Sequence, residues 1–469
     1  MADISNLVYD EIEIGARASE TRTLSRMDIE VLALAAGDLD NGDVDLGTTS
    51  TPATEPAGLA VFVSGLISRR LPGPGTTILE QNLRYRGRMS IGDQITADVV
   101  VRSKSDGDQS VVLDCRCINQ AGAELLVGTV TAKAPKHRIK RDAYSAPELI
   151  LRRGDGFARL IKRCAAMDPV RCAVVHPCDA AALQGAVAAA VQGLIVPVLV
   201  GPEAKIRAVA KAEGIDLSPY SIEAVPHSHA AAARAVELAR NGKVAALMKG
   251  SLHTDELMAE VLSATGLRTE RRISHVFVMD VPAYPRTLLV TDAAINIQPT
   301  LTDKADIVRN AIDLAHTLGI ENPKVAILSA VETVNPNIAS TIDAAALCKM
   351  ADRGQITGGT LDGPLAFDNA INVQAARSKH IESAVAGQAD VLVVPDLESG
   401  NILAKQLQYL AGASSSGIAL GARVPIALTS RSDSIRSRVV SAALVVLSAT
   451  AQSTAQAATL TGAGTRPGR

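Results

Sequence analysis

Apolar and polar positions follow two rhythms along this chain. Between residues 77 and 135 they alternate with period two: TILEQNLRYRGRM, DQITADVVVRSKS, SVVLDCRCINQ and ELLVGTVTAKA. Gly-Asp, Asp-Gly-Asp and Gln-Ala-Gly punctuate these runs, which predicts an antiparallel meander. One helical apolar segment, AGLAVFVSGLISRRL, precedes it and is closed by Pro-Gly-Pro-Gly. A single helix against a curled antiparallel sheet is an α+β layer pair. The basic, polar stretch KAPKHRIKRDAYSAPELILRRGDG reads as a linker.

After the linker the rhythm changes. Short apolar runs predict strands at 172–176 (CAVVH), 196–200 (VPVLV), 243–248 (KVAALM), 286–290 (RTLLV), 324–328 (KVAIL), 390–394 (DVLVV) and 424–428 (VPIAL). Ala-rich helices such as AALQGAVAAAVQG and TDKADIVRNAIDLAHTLG run between them. Buried parallel strands with crossover helices make a doubly wound α/β fold. In such sheets ligands bind beyond the carboxyl ends of the strands.

The strand ends therefore carry the candidate chemistry. They read His176-Pro177-Cys178-Asp179, Lys249-Gly250-Ser251, Thr291-Asp292 through Asn296, Ser329 to Glu332, Asp362-Gly363-Pro364, Pro395-Asp396 through Asn401, and Ser430-Arg431-Ser432-Asp433-Ser434. Ser, Thr and Asp at such places are ordinary helix N-caps, worth about 1 kcal/mol each. Asp179 and Asp396 are read that way. The block 430–434 is different, because capping needs no arginine. A guanidinium fork at a helix N-terminus suits a phosphate. Lys249 is either a second phosphate ligand or a solvated lysine head. No GxGxxG or GxxxxGK[ST] follows a strand, so dinucleotide and P-loop sites lack support.

Composition narrows the class. Of 469 residues, 47% are hydrophobic and 20% charged, an ordinary balance. Aromatics are 2%, Trp is absent and the net charge is -2, which argues against a base-stacking nucleic-acid site. The six Cys lack paired zinc spacing, and no metal site is expected. Cys115 and Cys117 alternate along a strand and point the same way, for packing. The acidic N-terminus is no signal peptide. No stretch is long and apolar enough to span a bilayer, the short Ser-dotted helix near 439–450 included. A cytoplasmic protein with reduced thiols is expected.

Four long stretches carry a family likeness: VTDAAINIQPTL (290–301), DRGQITGGTLDGPLAFDNAI (352–371), VVPDLESGNILAKQL (393–407) and VPIALTSRSDS (424–434). From about 150 to 455 the chain resembles the phosphate acetyl/butyryl transferases. The resemblance implies a two-lobed α/β domain over 150–469, of the isocitrate/isopropylmalate dehydrogenase-like kind. Its reaction is acyl-CoA + phosphate ⇌ acyl phosphate + CoA. Coenzyme A would be a substrate, with no tightly bound cofactor; acetyl-CoA or another short acyl-CoA and inorganic phosphate would be the partners. Arg431 would hold the phosphate, and Ser430 would bind the thiol or the carbonyl oxygen. Asp433 would act as base or orient Arg431. Lys249, Asp292, Asn296, Asp362 and Asn401 would bind substrate. In the acetyltransferase branch the base lies further on, where this chain has Ser437.

The N-terminal part, residues 1–140, resembles a MaoC-type hot-dog domain, as in (R)-specific enoyl-CoA hydratases. Those hydratases use an Asp and a His in G-D-x-N-P-x-H. Here Asp38 matches, Asp43 takes the histidine's place, Asn-Pro is missing, and the first histidine of the chain is His137. A hot-dog domain that lost or changed this activity is expected. The order of the two parts resembles the bifunctional enoyl-CoA hydratase/phosphate acetyltransferases. A truly bifunctional enzyme run by the two aspartates and a non-catalytic CoA-binding scaffold are the alternatives. A metal-dependent dehydrogenase lacks a clustered Asp set. Hot-dog domains and these transferases usually pair, so a homodimer or higher homo-oligomer is implied.

Overall fold

The computed structural model describes residues 4–35, 53–54, 58–141, 156–430 and 433–462. The chain divides into two units, Met1–Leu151 and Arg152–Arg469. Asp38, Asp43 and Arg431 lie outside the described residues.

In the first unit the helix Gly58–Arg69 lies against a five-stranded antiparallel sheet, the expected α+β layer pair. The strand order is Arg17–Thr23, Gln94–Ser105, Ser110–Ile118, Glu124–Lys133, Thr77–Tyr85. Leu59, Val63, Leu66 and Ile67 share one helix face by their spacing. They pack in one core with Val99, Leu113, Leu126 and Val130 from the sheet. Only three of the four expected strands form the meander. Thr77–Tyr85 crosses to the far side of Glu124–Lys133. There Gly128 is indispensable, because a Cβ on it would lie 2.1 Å from the Asn82 carbonyl oxygen. Arg17–Thr23, RASETRT, escaped the pattern because it has a single apolar residue. Polar contacts hold it: Arg17 donates to the buried Asp98 at 2.8 Å, which also accepts from Arg116 at 3.0 Å. Cys115 and Cys117 are buried on the inner face. Burial pushes both thiols up to about 12, which fits packing and not chemistry. The first part of the linker is structured, since Lys140–Arg141 pairs with Ile4–Ser5.

The second unit is built on one eleven-stranded sheet. Its order is Ser221–Ala224, Ile195–Gly201, Val170–Val175, Ala246–Lys249, Ile426–Ala427, Ser414–Leu420, Ser274–Asp280, Leu288–Thr291, Val391–Val393, Lys324–Leu328, Thr360–Leu365. The first five strands are mutually parallel, as are the last four. Between the two blocks the ladders are antiparallel. This corrects the purely parallel expectation. Its consequence is that the carboxyl ends of the two parallel blocks lie at opposite edges of the sheet.

Ser274–Asp280 and Ser414–Leu420, which form the antiparallel centre, escaped the sequence reading, as did Ser221–Ala224 and Thr360–Leu365. SSSGIAL and TLDGPL carry Ser, Gly and Pro, which strands usually exclude. The final helix, Ile435–Gly462, is longer than the expected 439–450. Its stretch from 439 to 449 is apolar on nearly every side because it is buried: Val439, Val440 and the run Ala442–Leu447 all join the main core. Among the described residues no helix is long and apolar enough to cross a membrane.

Candidate active site

Strand Ala246–Lys249 pairs with Ile426–Ala427, so their carboxyl ends open side by side. Lys249 is 4% exposed and is no solvated head. Its ammonium donates to the carbonyl of Thr429 at 3.4 Å. Ser430 is exposed while Thr429 and Asp433 are buried. The Ser430 amide donates to Asp433 Oδ2 at 2.7 Å, and the Asp433 amide donates to the Ser430 carbonyl at 3.2 Å. Asp433 therefore closes the turn that carries Ser430. The polar block also starts the helix, because the Ser437 amide donates to Ser434 Oγ at 3.1 Å.

One residue here was missed by sequence reading. Arg438 lies one turn into the final helix and is 3% exposed. It donates to Thr429 Oγ1 at 2.9 Å and to the Ser430 carbonyl at 3.0 Å. Burial lowers its pKa, while the charges of Asp179 and Asp433 oppose that. Its stem lies over Gly185, where a Cβ would come within 2.6 Å of the Arg438 Cδ. Nothing in a stretch reading IRSRVV distinguishes this arginine from a solvated one.

Asp292, Asn296 and Asn401 form a second group, beyond Leu288–Thr291 and Val391–Val393. Asp292 is 2% exposed. It accepts from the amides of Ala294 at 2.9 Å, Ile295 at 3.0 Å and Asn296 at 3.2 Å. Its carboxylate is thus used to shape its own loop. Asn296 donates to the Ile273 carbonyl at 2.9 Å and accepts from Arg272 at 2.7 Å. Asn401 holds the same loop by donating to the Ala293 carbonyl at 3.2 Å. Asn296 also lines a pocket of about 250 Å³ with Leu262, Arg268, Arg272, Ile273 and Ile295. Guanidinium groups on apolar walls suit an anion carried on an apolar body. Asp362 joins neither group. It sits in the outermost strand, where it accepts from the Gly363 amide at 2.8 Å. Asp179 and Asp396 are N-caps, accepting from Ala182 and Ser399.

His275 connects the two groups and was also missed. It is 1% exposed, and its Nδ1 has no hydrogen-bond partner among the described residues. Burial lowers its pKa against the pull of Asp292, the Leu428 carbonyl and Asp433, so the ring is neutral at pH 7. It packs edge-on against Phe277 with centroids 4.4 Å apart. The ring reaches across Gly417, where a Cβ would lie 2.6 Å from His275 Nε2 and 2.3 Å from the Leu428 carbonyl oxygen. Neither neighbour can retreat inside a packed sheet. Gly417→Ala is expected to cost about 1–3 kcal/mol, read as a lowered urea midpoint; an unchanged midpoint would show that the ring can move aside.

The first group can bind an oxyanion at a helix start, with a buried ammonium alongside. Burial pushes the Cys164 thiol, like that of Cys178, up to about 11, so neither is an activated nucleophile. Among the described residues no cluster of His, Cys, Asp or Glu could hold a metal.

The family model described as phosphate acetyl/butaryl transferase matches residues 223–446. A phosphate acetyltransferase of Rhizobium meliloti is 65% identical over 263 residues, 56% of this chain and 83% of that protein. A phosphate butyryltransferase of Clostridium acetobutylicum is 43% identical over 251 residues, 53% of this chain and 83% of that protein. The crystal structure of a branched-chain phosphotransacylase from Enterococcus faecalis V583 superposes with a TM-score of 0.53 at 30% identity, covering 60% of this chain and 99% of that one. From its second unit, this chain belongs to the phosphate acetyl/butyryl transferase family.

Proposed function

We propose that the chain catalyses acyl-CoA + phosphate ⇌ acyl phosphate + CoA, with acetyl or another short acyl group. The observation that carries this is the turn Thr429–Ser430, fixed by Asp433 and Arg438 beside the buried Lys249. It presents Ser430 ahead of a helix start, where a phosphate is favoured; Arg431 is next in the chain. Arg431 grips the phosphate and neutralises it as it leaves. Ser430 hydrogen-bonds the thiol or the carbonyl oxygen, and Lys249 adds positive charge. With Oδ2 committed to the Ser430 amide, Asp433 serves the orienting role. Asp292, Asn296 and Asn401 shape a substrate-side loop, and Asp362 has no assigned contact. The thiolate attacks the carbonyl carbon directly, and holding both substrates together supplies several kcal/mol of the barrier.

The finer architecture is part of this reading. Residues 150–469 form a transferase domain of the isocitrate/isopropylmalate dehydrogenase-like two-lobed kind, and residues 1–140 a hot-dog domain. The protein works in the cytoplasm as a homodimer or higher homo-oligomer. The direct test is phosphate-dependent release of CoA from acetyl-, propionyl- and butyryl-CoA. Absence of release with all three would leave a CoA-binding scaffold as the better reading.

The hot-dog domain is expected to be inactive as a hydratase, since residues 1–136 contain no histidine to pair with Asp38. Full-length protein should hydrate crotonyl-CoA no faster than buffer. Measurable hydration lost in Asp38→Asn would restore the bifunctional alternative.

A further inference from the structure

We propose that His176 contacts the coenzyme A thiol and takes its proton, an assignment that rests on the transferase reading above. His176 follows Val170–Val175, whose neighbours are Ile195–Gly201 on one side and Ala246–Lys249 on the other. The chain crosses from this strand to Ile195–Gly201 on one side and later returns from Ser221–Ala224 to Ala246–Lys249 on the other, which opens a crevice at its carboxyl end. The backbone of His176 stands at φ +55, in the left-handed region. For a residue with a side chain such a conformation costs on the order of 1–3 kcal/mol and is kept only where the surroundings enforce it. They do so here. The His176 carbonyl accepts from the Cys178 amide at 2.8 Å, the Ser251 amide at 2.9 Å and Ser251 Oγ at 2.8 Å. Gly250 lies directly beneath, with no room for a Cβ: it would meet the Val175 and His176 carbonyl oxygens at 2.4 and 2.6 Å.

The same contacts assign the tautomer. Ser251 Oγ accepts from the Cys178 amide at 3.1 Å and gives its one proton to the His176 carbonyl. With that proton engaged by the carbonyl, the ring Nδ1, 3.3 Å from Ser251 Oγ, is the donor. This leaves the Nε2 lone pair as the basic atom, on a ring that is only half-buried. The charged groups facing the ring are Lys205 from Glu203–Glu213, Glu256 from Thr254–Val261, and Asp179. Lys249 lies in register with Val175 on the adjacent strand. Burial and Lys205 lower the ring's pKa, and Ser251, Glu256 and Asp179 only partly offset them. The imidazole is therefore neutral at pH 7, the state a general base requires.

Two strand spacings, about 10 Å, separate this strand from Ile426–Ala427 and its phosphate-binding turn. That gap suits a thiol lying between the ring and the bound acyl phosphate. Nε2 takes the S–H proton and sulfur bonds to the carbonyl carbon. The carbon–oxygen bond breaks, with its electron pair leaving on phosphate. In reverse, the imidazolium returns the proton to the departing thiolate.

The test is steady-state transfer from acetyl phosphate to CoA across pH 5 to 9, with wild type, His176→Asn and His176→Gly. Both replacements accept positive φ, so the turn is retained. A loss of about a hundredfold in kcat at pH 7 is expected, with little change in KM for acetyl phosphate. The wild-type acid limb, placed below the ordinary histidine range, should vanish in both variants. Added imidazole should restore His176→Gly in proportion to its concentration. Full kcat in the variants, or an acid limb that persists in them, overturns the assignment while leaving the transferase reading intact. A wild type without phosphate-dependent transfer sinks that reading instead.

Discussion

Arg431→Ala should lower phosphate-dependent acyl transfer at least about a hundredfold, the scale of losing one preorganised contact to developing charge. In the chain Arg431 follows strand Ile426–Ala427 and precedes the final helix. The phosphate it would hold gains negative charge as the carbon–oxygen bond breaks. Binding that strengthens along this coordinate lowers the barrier, whereas binding that is uniform does not. The loss should therefore appear in kcat as well as in KM for phosphate. Arg431→Lys should recover only part of it, because a point charge cannot make two parallel hydrogen bonds to one anion. Steady-state rates with acetyl-CoA and varied phosphate decide the matter. An Arg431→Ala enzyme of unimpaired kcat/KM would refute the role of this residue.

Arg438→Met should destabilise the protein by about 3 kcal/mol, the sum expected for two hydrogen bonds made by a charged donor. Methionine keeps the stem that lies over Gly185 and deletes the donors to Thr429 and Ser430. Asp433 then stays buried without the cation whose charge acts on it. Arg438 touches no substrate in this account, yet transfer should also slow by about tenfold to a hundredfold, since small displacements of catalytic groups are costly. Urea unfolding and kcat/KM on the same samples test both parts. Arg438→Lys should regain stability ahead of rate if placement of the turn is what matters. A stable variant of full activity would show that Asp433 alone fixes the turn.

The sequence was informative wherever the chemistry is local. The meander between residues 94 and 133, the helix Gly58–Arg69 and seven of the parallel-block strands follow from periodicity alone. The caps at Asp179 and Asp396 follow from residue type and position. The anion-binding role proposed for residues 430–434 rests on an arginine that capping does not require. Each of these needs only neighbours a few residues apart. Legibility was lost where partners are distant in the chain. His275 sits in SHVFVMD, a stretch in which periodicity singled out neither a strand nor a site. Its burial, and the carboxylates that act on it from Asp292 and Asp433, exist only after the strand is placed. Arg438 looks like any helix-surface arginine until Gly185 is brought against it, 253 positions earlier in the chain.

The amino-acid sequence by itself determined that the chain has two parts of different rhythm, that its second part alternates strand and helix, and that a guanidinium follows one of its last strands. These are consequences of side-chain period, turn chemistry and local capping, which act along the chain. Only the tertiary structure decided that antiparallel strands join the two parallel blocks into one sheet. It also decided that Lys249 is buried beside Thr429 while Asp292 shapes a loop at the other edge. The physical reason is that burial and charge depend on which strands become neighbours, and the order of strands in a sheet is not their order in the chain.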